Sequence, residues 1–244
     1  MKSVILCAGY ATRLYPLTRE FPKPLLTVRQ KPIINYILDK LEKIENIDEI
    51  IVITNSKFIS RFRNWTKTLR CKKHIVLVDD LTIEESDKRG AIGDMEFAIE
   101  AKRIKDDLLV IGGDNLFDGG IDEFLSFAKN NKPKPVIGVY NIKNICQARK
   151  YGVVRLNKNK QIVDFMEKPK RPKSKLVAMC LYYFPRQNLK LIREYLSHRG
   201  EKRDATGFYI DWLRKRVKVY GFIFAGRWYD IGEHRFLNEA KERF

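Results

Sequence analysis

Histidine and cysteine are scarce in this chain, with 3 and 4 in 244 residues. His74, His198 and His234 show no ligand spacing, so a histidine-built metal centre is not expected and all three read as surface or structural residues. Cys7, Cys71, Cys146 and Cys180 are scattered without a C-x-x-C pair. They therefore read as free thiols of a cytoplasmic protein rather than as a disulfide framework. No apolar run approaches the roughly 18 residues needed to cross a bilayer. Met1-Lys2-Ser3 leads straight into an apolar strand, so neither a leader peptide nor a membrane anchor is expected. Acidic residues are outnumbered by basic ones, 30 against 48, which gives a net charge of +18. Such a charge fits a nucleic-acid surface or a site for small anionic substrates. The lysines are spread along the whole chain, and no RNA-recognition or helix-turn-helix pattern accompanies them. The charge reads as a field that draws small anions inward, with no nucleic-acid or membrane partner.

Strand and helix patterns alternate along most of the sequence, which argues for a mostly parallel sheet with helices on both faces. Lys2–Cys7, Glu49–Thr54, Ile75–Val78, Leu108–Ile111 and Val136–Val139 read as strands. Helices are expected after Pro32 and over Phe58–Leu69, Asp94–Arg103 and Ile121–Lys129, from apolar residues at helical spacing. Past residue 140 the rhythm changes. Val153–Leu156 and Gln161–Met166 read as an antiparallel hairpin, and Lys168–Lys175 as a loop. Leu176–Phe184 and Val217–Phe224 read as strands, Arg227–Gly232 as a loop, and Leu189–Leu196, Ala205–Arg216 and Glu233–Arg243 as helices. One domain over residues 1–244 is expected, a length that buries about three-quarters of the unfolded surface.

The chemistry-bearing residues begin at the end of the first strand. Val4–Thr18 runs from that strand into a Gly/Ala turn ending in Arg13, and Lys23 follows between Pro22 and Pro24. Small residues after a buried strand let backbone N–H groups approach a phosphate, and the two cations add fixed charge beside it. Neither the Walker pattern nor the dinucleotide fingerprint is present. Asp114 follows the Leu108–Ile111 strand among glycines, where open α/β sheets bind ligands; by itself it reads equally as a turn aspartate.

The string Val4–Thr18, with Pro22-Lys23-Pro24-Leu25 and Lys31-Pro32-Ile33, resembles the signature of the sugar-1-phosphate nucleotidyltransferases, which make NDP-sugars. Gly113-Asp114-Asn115, Tyr151-Gly-Val-Val154, Glu167-Lys-Pro169 and Trp228-Tyr-Asp-Ile-Gly232 match further motifs of that family in order. The resemblance implies a Rossmann-like (GT-A-like) three-layer α/β domain, without the C-terminal left-handed β-helix that many relatives carry. It implies nucleotide contacts from Leu6, Ala8, Gly9, Tyr10, Ala11, Thr12, Gly90 and Asp114, and catalytic roles for Arg13 and Lys23. Tyr151, Gly152, Glu167 and Lys168 would bind the sugar 1-phosphate, and Asp114 with Asp230 would hold Mg²⁺. Departures are Ala11 at a position where glycine is usual, Lys88-Arg89 in the base-pocket loop with no base-reading glutamine nearby, and Met179-Cys180 in the sugar pocket. Asp118 reads as a turn or cap residue, and Asp204–Tyr209 is assigned no role. Thymidylyl or uridylyl transfer to a hexose 1-phosphate is the expected reaction. A cytidylyltransferase using CTP with a sugar phosphate or phosphocholine-like substrate and a non-catalytic regulatory paralogue are the alternatives.

Overall fold

The chain was analysed as a computed structural model that describes residues 1–198 and 204–244. In chain order, β1 (Lys2–Leu6) is followed by a loop and by the short β2 (Thr27–Val28) and β3 (Lys31–Pro32). Then come α1 (Ile33–Glu42), β4 (Glu49–Thr54), α2 (Ile59–Lys67), β5 (His74–Asp79) and α3 (Gly90–Ala101). β6 (Leu108–Gly112), β7 (Asn115–Phe117), α4 (Ile121–Asn130) and β8 (Val136–Asn141) complete the first half. The second half holds β9 (Gly152–Leu156), β10 (Ile162–Glu167), β11 (Leu176–Phe184), α5 (Lys190–Ser197) and α6 (Thr206–Arg214). β12 (Tyr220–Phe224), β13 (Trp228–Asp230) and α7 (His234–Arg243) end it.

The main sheet runs β10-β9-β11-β6-β1-β4-β5, with β8 on β11 and β12 on β8. β6, β1, β4 and β5 are parallel, and β11 joins β6 antiparallel. The inner strands are apolar at nearly every position because both faces are covered. Ile5, Ile50, Val52, Leu109 and Ile111 pack under α1, α2 and α4, against Ile37, Leu41, Phe62, Trp65 and Phe124. Their neighbours Val4, Ile51, Ile53, Leu108 and Val110 turn to the opposite face and meet α3, α5 and α6 through Ile92, Met95, Ile192, Tyr195, Tyr209 and Leu213. The result is the three-layer α/β arrangement, and the described residues contain no left-handed β-helix.

The differences from the sequence-based expectation sit at element ends and in short strands. α3 starts at Gly90, four residues before the predicted Asp94, because its first turn holds two glycines that weaken the helical pattern. The predicted loop Arg227–Gly232 contains β13, which pairs antiparallel with β7 just after Asp114. Two three-residue strands carry too little alternation to be read from sequence, and only their pairing defines them. β12 begins at Tyr220, three residues past the predicted Val217.

Candidate active site

The loop after β1 is fastened from behind. Cys7 N–H donates to Ile53 O at 2.8 Å, Asn55 Nδ2 to Ala8 O at 2.8 Å, and Thr18 Oγ1 to Ala11 O at 2.8 Å. Ala11 sits at φ 50°, ψ 41°, a left-handed conformation that costs a non-glycine residue about 1–2 kcal/mol. This is the position at which the related pattern has glycine, so the turn is kept at the expense of strain. Gly113 closes the far side by donating its N–H to Leu6 O at 2.9 Å. A Cβ on Gly113 would lie 2.4 Å from Cys7 Sγ, so no side chain fits where β6 meets β1.

Two cavities meet at Asp114. The smaller, about 200 Å³, is lined by Leu6, Ala8, Gly9, Gly90, Ala91, Asp80, Asp94 and Asp114 among others. The larger, about 300 Å³, is lined by Arg13, Tyr151, Gly152, Glu167, Lys168, Cys180, Gly207, Trp228 and Asp230, again with Asp114. Arg13, Asp114, Asp230, Glu167, Lys168, Tyr151 and Gly152 therefore stand round one hollow, as their motifs suggested. Ala11 and Thr12 line neither cavity. The Tyr10 side chain turns away into the core, where its hydroxyl lies 3.1 Å from Thr82 Oγ1 and its ring packs by Phe58. The Tyr10 ring thus supports the loop from beneath.

Asp114 and Asp230 are brought together by the β7–β13 pairing, in which Asp230 lies opposite Asn115. Trp228 Nε1 donates to Asn115 Oδ1 at 2.7 Å, and Ile231 N–H to Asp114 O at 3.3 Å. Asp118, expected as a turn residue, closes this clasp by accepting from Arg227 N–H at 2.6 Å and Arg227 Nε at 2.8 Å. The two carboxyl groups are close enough to perturb each other's titration. Burial and the neighbouring Asp114 carboxylate push Asp230 up to about 7. Burial alone would also raise Asp114, but Lys23 Nζ, ion-paired with its Oδ2, holds it below the usual carboxylate range. Two crowded carboxyls with one proton between them suit a hard divalent cation, which would relieve their repulsion. Among the described residues no three His, Cys, Asp or Glu side chains cluster in metal-ligand geometry. Such an ion would complete its oxygen shell from water and phosphate.

Across the larger cavity, Glu167 is nearly buried, and burial raises its pKa against the pull of Lys168, 3.8 Å away. Gly207, in the first turn of α6, makes room for it, since a Cβ there would lie 1.8 Å from Glu167 Oε2. Sequence reasoning missed Gly207, Asn115, Asp80 and Asp94. Asn115 stood inside a recognised motif; the others had no local signal, because their partners are remote in sequence. Burial pushes the Cys7 thiol well above its ordinary value, which disqualifies it as a nucleophile.

The profile of the Nucleotidyl transferase family matches residues 2–244. A protein named bifunctional protein GlmU from Methanocaldococcus jannaschii is 33% identical over 99% of this chain, which spans 54% of that protein. The chain is thus about half as long as such relatives. A glucose-1-phosphate thymidylyltransferase from Neisseria meningitidis is 31% identical over 98% of this chain and 81% of its own length. In fold, the chain superimposes on UDP-glucose pyrophosphorylase in complex with UDP-glucose with a TM-score of 0.81, at 20% identity over 99% of this chain and 97% of the other. From its profile, its relatives and its three-layer fold, the chain belongs to the nucleotidyl transferase family.

Proposed function

We propose that the chain transfers a nucleotidyl group from a nucleoside triphosphate to a sugar 1-phosphate, giving an NDP-sugar and pyrophosphate. The observation that carries this reading is the junction of two cavities at a paired carboxylate site, flanked by Arg13 and Lys23. In-line attack at an α-phosphorus piles negative charge on attacking and leaving oxygens, and fixed cations preorganised beside it lower the barrier. Arg13 is assigned to the outer phosphates. Lys23, fixed on Asp114, is assigned to the α-phosphate as charge develops there. Tyr151, Gly152 and Glu167 orient the sugar, and Lys168 meets its phosphate. A phosphate monoester is already anionic, so no general base is required.

Asp114 and Asp230 are the residues that would hold Mg²⁺, which supplies charge neutralisation to the phosphate oxygens when bound. No described helix is long and apolar enough to span a membrane, and a site for anionic metabolites suits the cytosol. The test is pyrophosphate release from five triphosphates, each paired with several sugar 1-phosphates in Mg²⁺. Turnover with at least one pair, abolished by chelation, is the expected result. No release with any pair, from folded protein, would overturn the reading.

A further inference from the structure

The larger cavity holds a cation that nucleotidyl transfer as described above leaves without a role. Lys150 ends the turn Ile145–Lys150 and directly precedes Tyr151. It lines the cavity together with Arg13 and Lys168. Its ammonium donates to both carboxylate oxygens of Glu233, at 2.7 Å to Oε1 and 2.6 Å to Oε2. Glu233 does not line the cavity and follows Asp230 by three residues. The ion pair thus ties the segment that carries Tyr151 and Gly152 to the segment that carries Asp230.

Glu233 stands close to the groups that handle phosphate. A Cβ on its predecessor Gly232 would lie 3.8 Å from Arg13 Nη2 and 3.9 Å from Asp230 Oδ2. Its successor His234 holds Nε2 3.2 Å from Tyr15 O, in the loop that presents Arg13. Lys150 is therefore held beside the reacting centre and not on a remote surface. Both partners are accessible, with side chains 43% exposed for Lys150 and 35% for Glu233. A half-exposed ion pair adds little to stability, so a phosphate dianion competes well for the ammonium. The flexible four-carbon stem of lysine lets that ammonium swing without moving the backbone.

The cavity needs such a cation. Arg13, Lys150 and Lys168 line it against Asp114, Glu167, Asp204 and Asp230, so carboxyl groups outnumber the cations. Lys168 already lies 3.8 Å from Glu167 Oε1. With Arg13 assigned to the outer phosphates of the triphosphate, Lys168 alone would face a doubly charged sugar phosphate. We propose that Lys150 is a second cation for the phosphate of the sugar 1-phosphate, held on Glu233 before that phosphate enters and released onto it afterwards. The proposal rests on the nucleotidyl-transfer reading and adds a substrate-binding residue to it. Glu233 is then a positioning residue, which keeps the ammonium beside the cavity and competes with the substrate for it.

The test is steady-state pyrophosphate release by the whole chain in Mg²⁺, with the triphosphate and sugar 1-phosphate that give the fastest turnover. Lys150→Met should raise the KM for the sugar 1-phosphate about tenfold or more, the scale of one lost charge-assisted hydrogen bond. The triphosphate KM should stay within about twofold, because its phosphates keep Arg13 and Lys23. Lys150→Arg should hold the sugar 1-phosphate KM within about threefold of the parent, since the charge is kept. Glu233→Gln should lower that KM about twofold to fivefold, because an amide no longer competes with the phosphate. Adding Lys150→Met to Glu233→Gln should still raise it about tenfold. A double variant with the KM of Glu233→Gln alone would mean that Lys150 only screens the Glu233 carboxylate, and would overturn the proposal. So would an unchanged KM in Lys150→Met, a raised one in Glu233→Gln, or a rise confined to the triphosphate. No turnover by the folded parent chain with any pair would overturn nucleotidyl transfer itself.

Discussion

At the scale of single residues, charge is placed where phosphate chemistry needs it and protons are held where burial demands them. Lys23 is nearly buried and spends its charge on Asp114, and the two acids beside it raise its pKa against the effect of burial. Lys23→Ala should lower kcat by about a hundredfold or more, the scale of losing one preorganised charge. Near-normal turnover from a folded variant would remove Lys23 from the chemistry. Asp94 supplies a pH prediction. Burial and the Asp80 carboxylate push it up to about 8 from an ordinary value of 3.8. The folded chain therefore keeps a proton that the unfolded chain releases, and stability falls as pH rises from about 4 to about 8, then levels. Asp94→Asn should flatten part of that slope in denaturation midpoints at pH 5, 6.5 and 8. Equal slopes in both proteins would contradict a proton kept by Asp94 on folding.

At the scale of elements, the β7–β13 pair and the first turn of α6 shape the larger cavity. β13 is three residues long, yet its pairing sets Asp230 beside Asp114. The strand itself was not legible in the sequence, because a strand of that length is defined only by a partner far along the chain. The motif around Asp230 was legible as chemistry before it was legible as structure. The inner strands were the opposite case, since continuous apolar runs such as Leu108–Ile111 announce burial on both faces without any knowledge of partners. Gly207 carries the prediction here. Gly207→Ala would drive a methyl group into Glu167 Oε2, which now lies 1.8 Å from the Cβ position. The KM for the sugar 1-phosphate should rise about tenfold or more, with the triphosphate KM little changed, as expected for a misplaced orienting group. Parallel increases in both constants would show that the change is not local to the sugar side.

For the whole molecule, the charge of +18 is the dominant long-range property. Basic residues spread along the chain give the molecule as a whole a positive field that draws anions toward it. The association rate of a triphosphate, measured by stopped flow, should fall about tenfold between roughly 50 mM and 500 mM salt as the field is screened. A salt-independent rate would assign the lysines to some other role. The family signature was readable from the first 33 residues because phosphate loops are local devices of small residues and nearby cations. The neighbouring acids Asp80 and Asp94 were not, since they lie far apart in sequence and line one cavity only in the fold.

The account turns on Asp114 and Asp230 acting as one unit, and a double-mutant cycle on kcat for pyrophosphate release tests that most directly. Asp114→Asn and Asp230→Asn should each cost about a hundredfold or more, and the double variant should be little worse than either single one. Losses that multiply in the double variant, or near-normal turnover in either single one, would contradict it.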